Sequence, residues 1–593
     1  MEQQRIPATR HRHGPSPRRR TAALWLIGAL VLVYSGVIAA TGGIDLTVGG
    51  LRIRSRTWQR PAGLGLACLA VVAVADRRRA IAVSRQLGIA AAHALDRLWL
   101  GVPPAGVAIV ATAWALGAGL VFGTNTAGGA DSSGYLNQAK LLARGQVVDQ
   151  SRLREPVPGV AGAFRLAPLG YRPAPDGERL APTYPPGYPL LMAPAFLISE
   201  RAPFFVVPLC GALAVWLTFA IGRRLGETGA GAAAAVLTSV SPTFLYQLVQ
   251  PMGDVPVTAA WLLALYLATG RTDLSAAAAG LAAGVAVLIR PNLLPLAVLV
   301  WAACAVADPA RWRWRRAALS IATAIPAVVA LGAIQSVRFG SPLLSGYGPT
   351  SDLFAWANIG PNLDRYPRWM IETHTPAIAL FLLAPVWIVR ARRESRPLFW
   401  LVWLFAIAVP LAYLPYVYFQ LFEWTYTRFL LPAIPLMWLL SVAPFARWLR
   451  RTRPAVSAAL AAPVLVGLVI ISIVAARNRY AFELHEGERK YTAASDYVGQ
   501  VLPPNAVAVS MQHSGSVWFY ARVPIVRWDH VDPRRLDETL ATFANHGYAP
   551  FLVVDREEFD RMKERFGPAA QRSLERARPM AQFGDAMIYA VDY

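Results

Sequence analysis

The stretch Gly128-Gly129-Ala130-Asp131-Ser132-Ser133-Gly134-Tyr135-Leu136-Asn137-Gln138-Ala139 comes directly after an apolar run at 104–122. It puts an aspartate at the mouth of what reads as a helical bundle. Leu136, Ala139, Lys140 and Ala143 then recur at helical spacing, so Tyr135–Ala143 reads as an amphipathic helix lying in a membrane interface. Whether Asp131 serves chemistry there depends on the rest of the chain.

That chain has 593 residues, 55% of them hydrophobic and 16% charged. Soluble domains carry about 25% charged residues. Thirteen apolar runs of near-spanning length fall at about 21–40, 61–76, 104–122, 203–222, 229–248, 256–269, 274–289, 292–306, 317–336, 375–389, 398–416, 429–445 and 456–475. The fold class is therefore a polytopic α-helical membrane protein. The net charge of +23 does not imply nucleic acid, because its Arg residues cluster in short loops between runs. With the N-terminus inside, Arg77-Arg78-Arg79, Arg223-Arg224, Arg271, Arg311–Arg316, Arg390–Arg396 and Arg447–Arg453 all fall in inside loops. Six agreeing loops set the orientation. The segments 123–202, 249–255, 337–374, 417–428 and the tail then lie outside.

Domain organisation follows. Residues 1–20 are a basic inside tail, and the run after it reads as a retained anchor rather than a cleaved signal peptide. Residues 21–100 hold two extra spans and an inside loop. Residues 101–478 form the membrane core. Residues 479–593 have soluble composition, with strands expected at 506–511, 551–554 and 587–591 and helices at 536–545 and 557–566, which makes a small outer α/β domain. Cys68, Cys210 and Cys304 all sit inside apolar runs, which gives no disulfide framework and no metal spacing. Gly226, Gly229 and Gly231 lack the Lys-Ser/Thr pair of a phosphate-binding loop. His513 has no partner at catalytic spacing, and His374 borders a span.

The chemistry-bearing residues all belong to outer segments. A lone outer carboxylate is ordinarily a solvated loop residue. Placed against a lipid-borne substrate, Asp131 could take a hydroxyl proton as a general base. Asp254, in Gly253-Asp254-Val255-Pro256, sits in the shortest outer loop. A carboxylate at that depth either caps the helix that Pro256 opens or serves function. Thr183-Tyr184-Pro185-Pro186-Gly187-Tyr188-Pro189 is a rigid turn leading into a second interfacial helix, at 188–198, whose hydroxyls could line a sugar or phosphate site. Arg428 and Arg290 stand where positive-inside logic calls for no arginine, and a guanidinium there can bind phosphate. Arg338, Arg365 and Arg368 read as solvated outer-loop cations.

In their order, these pieces resemble a known family. Asp131 with Tyr135-Leu136-Asn137-Gln138-Ala139, Tyr184-Pro185-Pro186-Gly187-Tyr188-Pro189, Gly253-Asp254-Val255-Pro256, Arg290-Pro291 and Arg428-Phe429-Leu430-Leu431-Pro432 look like GT-C fold membrane glycosyltransferases. The style is that of glycosyltransferase family 39, with its protein O-mannosyltransferases and lipid A aminoarabinose transferases. The resemblance implies a polyprenyl-phosphate sugar donor used on the outer face of a bacterial cytoplasmic membrane. It implies inverting displacement onto a hydroxyl acceptor, with Asp131 as base and Asp254 as second acid. Arg428, Arg290, Lys140, Tyr135, Tyr184 and Tyr188 would surround the donor's phosphate and sugar. A divalent metal is the one cofactor left open. Many relatives have a second acid after the first Asp, where this chain has Ser132. Some carry Lys before the Pro pair, where this chain has Tyr184. Phosphate neutralisation must then come from elsewhere. Two rival readings are a flippase for lipid-linked glycans and a noncatalytic envelope-assembly factor. The acidic candidates cluster on one face, whereas transporters place polar groups at midplane.

Overall fold

The computed structural model describes residues 44–48, 51–55, 64, 103–153, 157, 163–307, 313–417, 420–450 and 454–591. The basic tail and the apolar run at 21–40 lie outside the described residues, as does the run at 61–76 apart from Leu64. The chain divides into two compact units, one of Met1–Val102 with Trp448–Val474 and one of Pro103–Arg447 with Ala475–Tyr593. In the first, Ile44–Val48 and Leu51–Ser55 pair as an antiparallel hairpin. The second holds every candidate site residue.

Four helices are long and apolar enough to cross a membrane: Pro104–Val121, Ala202–Arg224, Trp314–Phe339 and Arg396–Tyr413. Three further candidates are bent pairs, Thr228–Ser239 with Pro242–Leu248 (59°), Trp356–His374 with Pro376–Ile388 (119°), and Glu423–Leu430 with Ile434–Leu449 (78°). A proline stands in or directly after each break: Pro242 and Pro376 open the second helix, and Pro432 lies within the third break. Proline lacks the amide that would continue the ladder, and it disfavours helix in the residue before it. The run at 375–389 is therefore not a straight span. It is a 3-10 stretch, Pro376–Leu383, and a short helix, Ala384–Ile388. The runs at 256–269, 274–289, 292–306 and 456–475 fall on shorter apolar helices. By length and composition the described residues thus hold four spans, or up to seven with each bent pair counted once.

Small residues bring the helices around the site together. Asp273–Ile289 packs on Trp314–Phe339 where Gly280 leaves no room for a Cβ against Ser320 O, and where a Cβ on Gly284 would lie 2.8 Å from Ala327 Cβ. Gly187 sits against the backbone of Leu288 and Ile289, which seats the Pro185-Pro186 turn beside the end of that helix.

In the 123–202 segment, a helix spans Asp131–Leu142. It does not lie on a surface as expected. Ser132, Ser133, Gly134, Leu136, Asn137, Gln138, Ala139 and Leu141 are all buried. Its polar side is covered by the C-terminal part of the chain, where Asn137 Nδ2 donates to Gly515 O at 2.9 Å. A second helix, Gly187–Phe196, packs beside it.

From Leu484 onward the chain forms a five-stranded sheet in the order Ile525–Val526, Ala506–Val509, Ala549–Asp555, Ala586–Ala590, Arg578–Phe583. The first three strands run parallel and the last two pair antiparallel. Alternation sorts the side chains to two faces. Val507, Val509, Leu552 and Val554 meet Leu540, Phe543 and Met562. Ala506, Ala508, Val553 and Ile588 meet Val498 and Trp518, and also Ala167, Tyr171 and Leu180 from the 123–202 segment.

Glu488 lies at this junction. Burial pushes its carboxyl up to about 7, against the pull of Lys490. An acid whose folded pKa exceeds its unfolded value makes stability fall as pH rises between the two. Glu488→Gln is therefore expected to gain thermal stability over the parent protein above pH 7 and to match it near pH 4. Thermal melts across that range check this.

Candidate active site

Asp131 is the first residue of its helix, after a turn in which Gly129 takes φ +53°. Its carboxylate has two partners. Tyr184 OH donates to Oδ1 at 2.7 Å, and Arg428 NH1 donates to Oδ2 at 3.0 Å. Asp254 likewise opens a helix, Asp254–Ala268, but its side chain is only 3% exposed. A carboxylate that deep needs an ion partner. Arg290, at the C-terminal cap of Asp273–Ile289, supplies it. Arg290 NH1 also donates to Tyr413 OH at 3.2 Å.

Phe429 joins the two ion pairs. The Arg290 guanidinium lies 4.8 Å from its ring centroid and the Arg428 guanidinium 5.1 Å. Such cation–ring contacts contribute about 0.5–2 kcal/mol each, and Tyr413 stacks on the same ring at 5.1 Å. Tyr135 is the link on the other side. It is four residues from Asp131, hence on the same helical face. Its ring sits 4.6 Å from that of Tyr184. Burial, and then the charges of Asp131 and Asp254, drive the Tyr135 phenol far above its ordinary range, and burial with Asp131 does the same to Tyr184. Both phenols therefore stay protonated as donors.

These groups wall one cavity of about 570 Å³. Asp131, Asp254, Tyr135, Tyr184, Arg290 and Arg428 all line it. Two predicted site residues do not. Lys140 is nine residues from Asp131, two and a half turns on, so it points to the opposite face. There it pairs with Glu200 at 2.8 Å and lies over the Phe519 ring. Tyr188 is fully buried behind Tyr135, their rings 5.1 Å apart.

One lining residue escaped the sequence reading. Arg338, expected to be solvated, is 1% exposed. Its Nε donates to Val147 O at 3.0 Å and its NH1 to Tyr184 O at 3.4 Å, while NH2 is buried without a partner. Among the described residues no carboxylate pairs with it. The signal was available: an arginine ending a long apolar helix, on the side that the positive-inside reading assigns to the outside, is as anomalous as Arg428. The described charged lining is thus two carboxylates and three guanidiniums, leaving one positive charge uncompensated.

Among the described residues no group of three or more His, Cys, Asp or Glu gathers as a metal-ligand set. Asp131 and Asp254 each engage a guanidinium instead. The residues at this site fit ion pairing and do not fit a protein-held metal. His374 is buried between Ser241 Oγ and Thr373 Oγ1, both at 2.7 Å, and does not line the cavity. His513 pairs with Asp555 at 2.8 Å in the C-terminal segment.

Removing Arg290 would strand the Asp254 carboxylate. Arg290→Ala is expected to destabilise the fold by about 3–5 kcal/mol, and Asp254→Asn in the same background should recover part of that loss. Thermal melts of the purified single and double variants measure both.

The family model described as dolichyl-phosphate-mannose-protein mannosyltransferase matches residues 183–334. That stretch contains Tyr184, Asp254 and Arg290. Crystal structures of ArnT from Cupriavidus metallidurans are similar to this chain. The form bound to undecaprenyl phosphate has a TM-score of 0.53 at 15% identity, covering 82% of this chain and 97% of ArnT. The apo form has a TM-score of 0.52 at 14% identity, covering 81% and 97%. No curated protein matches the sequence. The solved structures give the chain the GT-C fold that ArnT has, and residues 183–334 carry its similarity to the mannosyltransferase family model.

Proposed function

We propose that this protein transfers a sugar from a polyprenyl-phosphate donor to a hydroxyl acceptor on the outer face of a bacterial cytoplasmic membrane. The observation that carries this reading is the cavity lined by Asp131, paired with Arg428, and by two further guanidiniums, Arg290 and Arg338. The acceptor oxygen attacks the anomeric carbon. The bond from that carbon to the phosphate oxygen breaks, and its electron pair leaves with the lipid phosphate. Asp131 takes the acceptor's proton. Attack from the side opposite the phosphate inverts the anomeric centre.

Charge balance supports this assignment of roles. A donor phosphodiester carries one negative charge, which the uncompensated guanidinium in the cavity matches. When the bond breaks, the phosphate gains a second negative charge. At the same moment Asp131 becomes neutral, so Arg428 loses its counter-ion. The cavity thus gains a positive charge as the leaving group gains a negative one, which stabilises the transition state more than the bound donor. Asp254 stays paired with Arg290 and holds that guanidinium in the wall. Arg338 and the Arg428 released by proton transfer occupy the role that some relatives give to a Lys at position 184. The mannosyltransferase description of the matching family and the undecaprenyl phosphate in ArnT agree with a lipid-phosphate donor.

The test uses purified protein in nanodiscs, a panel of synthetic undecaprenyl-phosphate sugars and an envelope extract as acceptor. Transfer with an inverted anomeric configuration by NMR is expected for at least one donor. No transfer from any donor, or retained configuration, would overturn the reading.

A further inference from the structure

We propose that the C-terminal α/β segment is a positioning element for Asp131, with Tyr520 as its principal positioning residue. This rests on the reading of Asp131 as the base.

The helix that carries Asp131 fixes its own start only in part: Ser133 N donates to Gly128 O at 3.2 Å and Ser133 Oγ to Gly129 O. Its N-cap is Ala130, in helical conformation and with no side-chain cap. The first amides of such a helix lack the acceptor that Ser, Asp or Asn would provide. Before it stand Gly128 and Gly129, the second at φ +53°. Two glycines give the backbone its greatest freedom at the point that sets where Asp131 sits. A general base must lie within hydrogen-bond reach of the proton it takes, and a misplacement of about 1 Å is costly.

The rest of the restraint comes from the far end of the sequence. Ala127 N donates to Tyr520 OH at 3.0 Å. Thr492 Oγ1 lies 3.4 Å from Thr126 Oγ1. Glu488 and Tyr491 then close over Gly128. A Cβ there would collide with the Glu488 carboxylate and lie 2.8 Å from Tyr491 Cδ2. Gln512 Nε2 donates to Tyr491 OH at 3.0 Å and holds that ring in place. Six residues beyond Asp131, Asn137 is tied to Gly515 O. The helices Leu484–Gln500 and Ser514–Tyr520 therefore grip the backbone on both sides of the carboxylate. Docking the segment does not require these bonds, because the apolar contacts of Trp518, Val498 and Ile588 with Ala167, Tyr171 and Leu180 already do so.

The test compares the full chain with Tyr520→Phe, Gly128→Ala and Asp131→Asn in nanodiscs, using the synthetic undecaprenyl-phosphate sugar that the parent protein turns over. Tyr520→Phe keeps the ring and removes the hydroxyl that accepts from Ala127 N–H and also hydrogen-bonds the Thr492 side chain. The expected result is kcat lower by about tenfold, an unchanged donor KM and an unchanged melting temperature. Hydrogen exchange across 124–136 should be faster. Gly128→Ala should act in the same direction. Unchanged kcat and unchanged exchange would overturn the proposal, as would a joint fall of kcat, donor affinity and melting temperature. Residual full transfer by Asp131→Asn would instead sink the base reading, and the inference with it. If none of the donors is turned over, exchange at 124–136 decides: no change in Tyr520→Phe overturns the positioning role.

Discussion

Asp131→Asn will lower the rate of sugar transfer by about 10²–10⁴-fold while donor binding persists. The amide keeps the size of the side chain and can still accept from Tyr184, whose hydroxyl lies 2.7 Å from Oδ1. It cannot take a proton. It also leaves Arg428 without its carboxylate partner, so the ground-state cavity becomes more positive. The expected signature is therefore split: kcat collapses, and the affinity for undecaprenyl phosphate holds or rises. Initial rates and lipid-binding titrations on the purified variant read the two separately. Equal losses in kcat and lipid affinity would assign Asp131 to substrate binding instead of proton transfer.

Arg338→Gln will produce the opposite split. A charge-assisted hydrogen bond is worth about 1.5–3 kcal/mol, so donor affinity should fall by about 10–100-fold. The fold should survive, because glutamine can still donate to the carbonyl of Val147 or Tyr184, the two acceptors Arg338 now uses. Some loss of kcat is also expected, because the leaving phosphate loses a permanent cation. The check is a donor titration with Arg365→Gln as control. That arginine, on the helix Ile359–His374, does not line the cavity, so its variant should keep the donor affinity of the parent protein.

The residues that share the cavity were largely legible because they violate local rules. Asp254 is a carboxylate where none is cheap. Arg290 and Arg428 are cations on the side that the positive-inside reading leaves poor in cations. Asp131 and Tyr135 share a face because they are four residues apart. The same periodicity, applied to Lys140, would have removed it, since nine residues place it on the opposite face against Glu200. Tyr188 shares a motif with Tyr184 but falls behind Tyr135, and no pattern in one sequence separates the two tyrosines. Arg338 had its sign in the sequence, an arginine ending a long apolar helix, but the carbonyls that hold it, those of Val147 and Tyr184, are 191 and 154 residues away.

The fold was legible at the level of apolar runs and less so at their ends. Every run from 104 onward coincides with helix. The bends do not show in hydropathy, although Pro242, Pro376 and Pro432 mark where they occur. Expected strands at 506–511, 551–554 and 587–591 overlap Ala506–Val509, Ala549–Asp555 and Ala586–Ala590, which are mostly buried and apolar. Arg578–Phe583 was not foreseen, because it is an edge strand with four exposed residues and little apolar alternation. The interfacial reading of the Asp131 helix failed for a tertiary reason: the chain returns more than three hundred residues later to cover it, at Gly515.

A cryo-EM map of the protein in nanodiscs with undecaprenyl phosphate tests the central claim most directly. The phosphate is expected in the cavity shared by Asp131 and Asp254, within hydrogen-bond reach of Arg338 and beside Arg428. A phosphate seated elsewhere, with the Arg338 guanidinium left untouched, would contradict it.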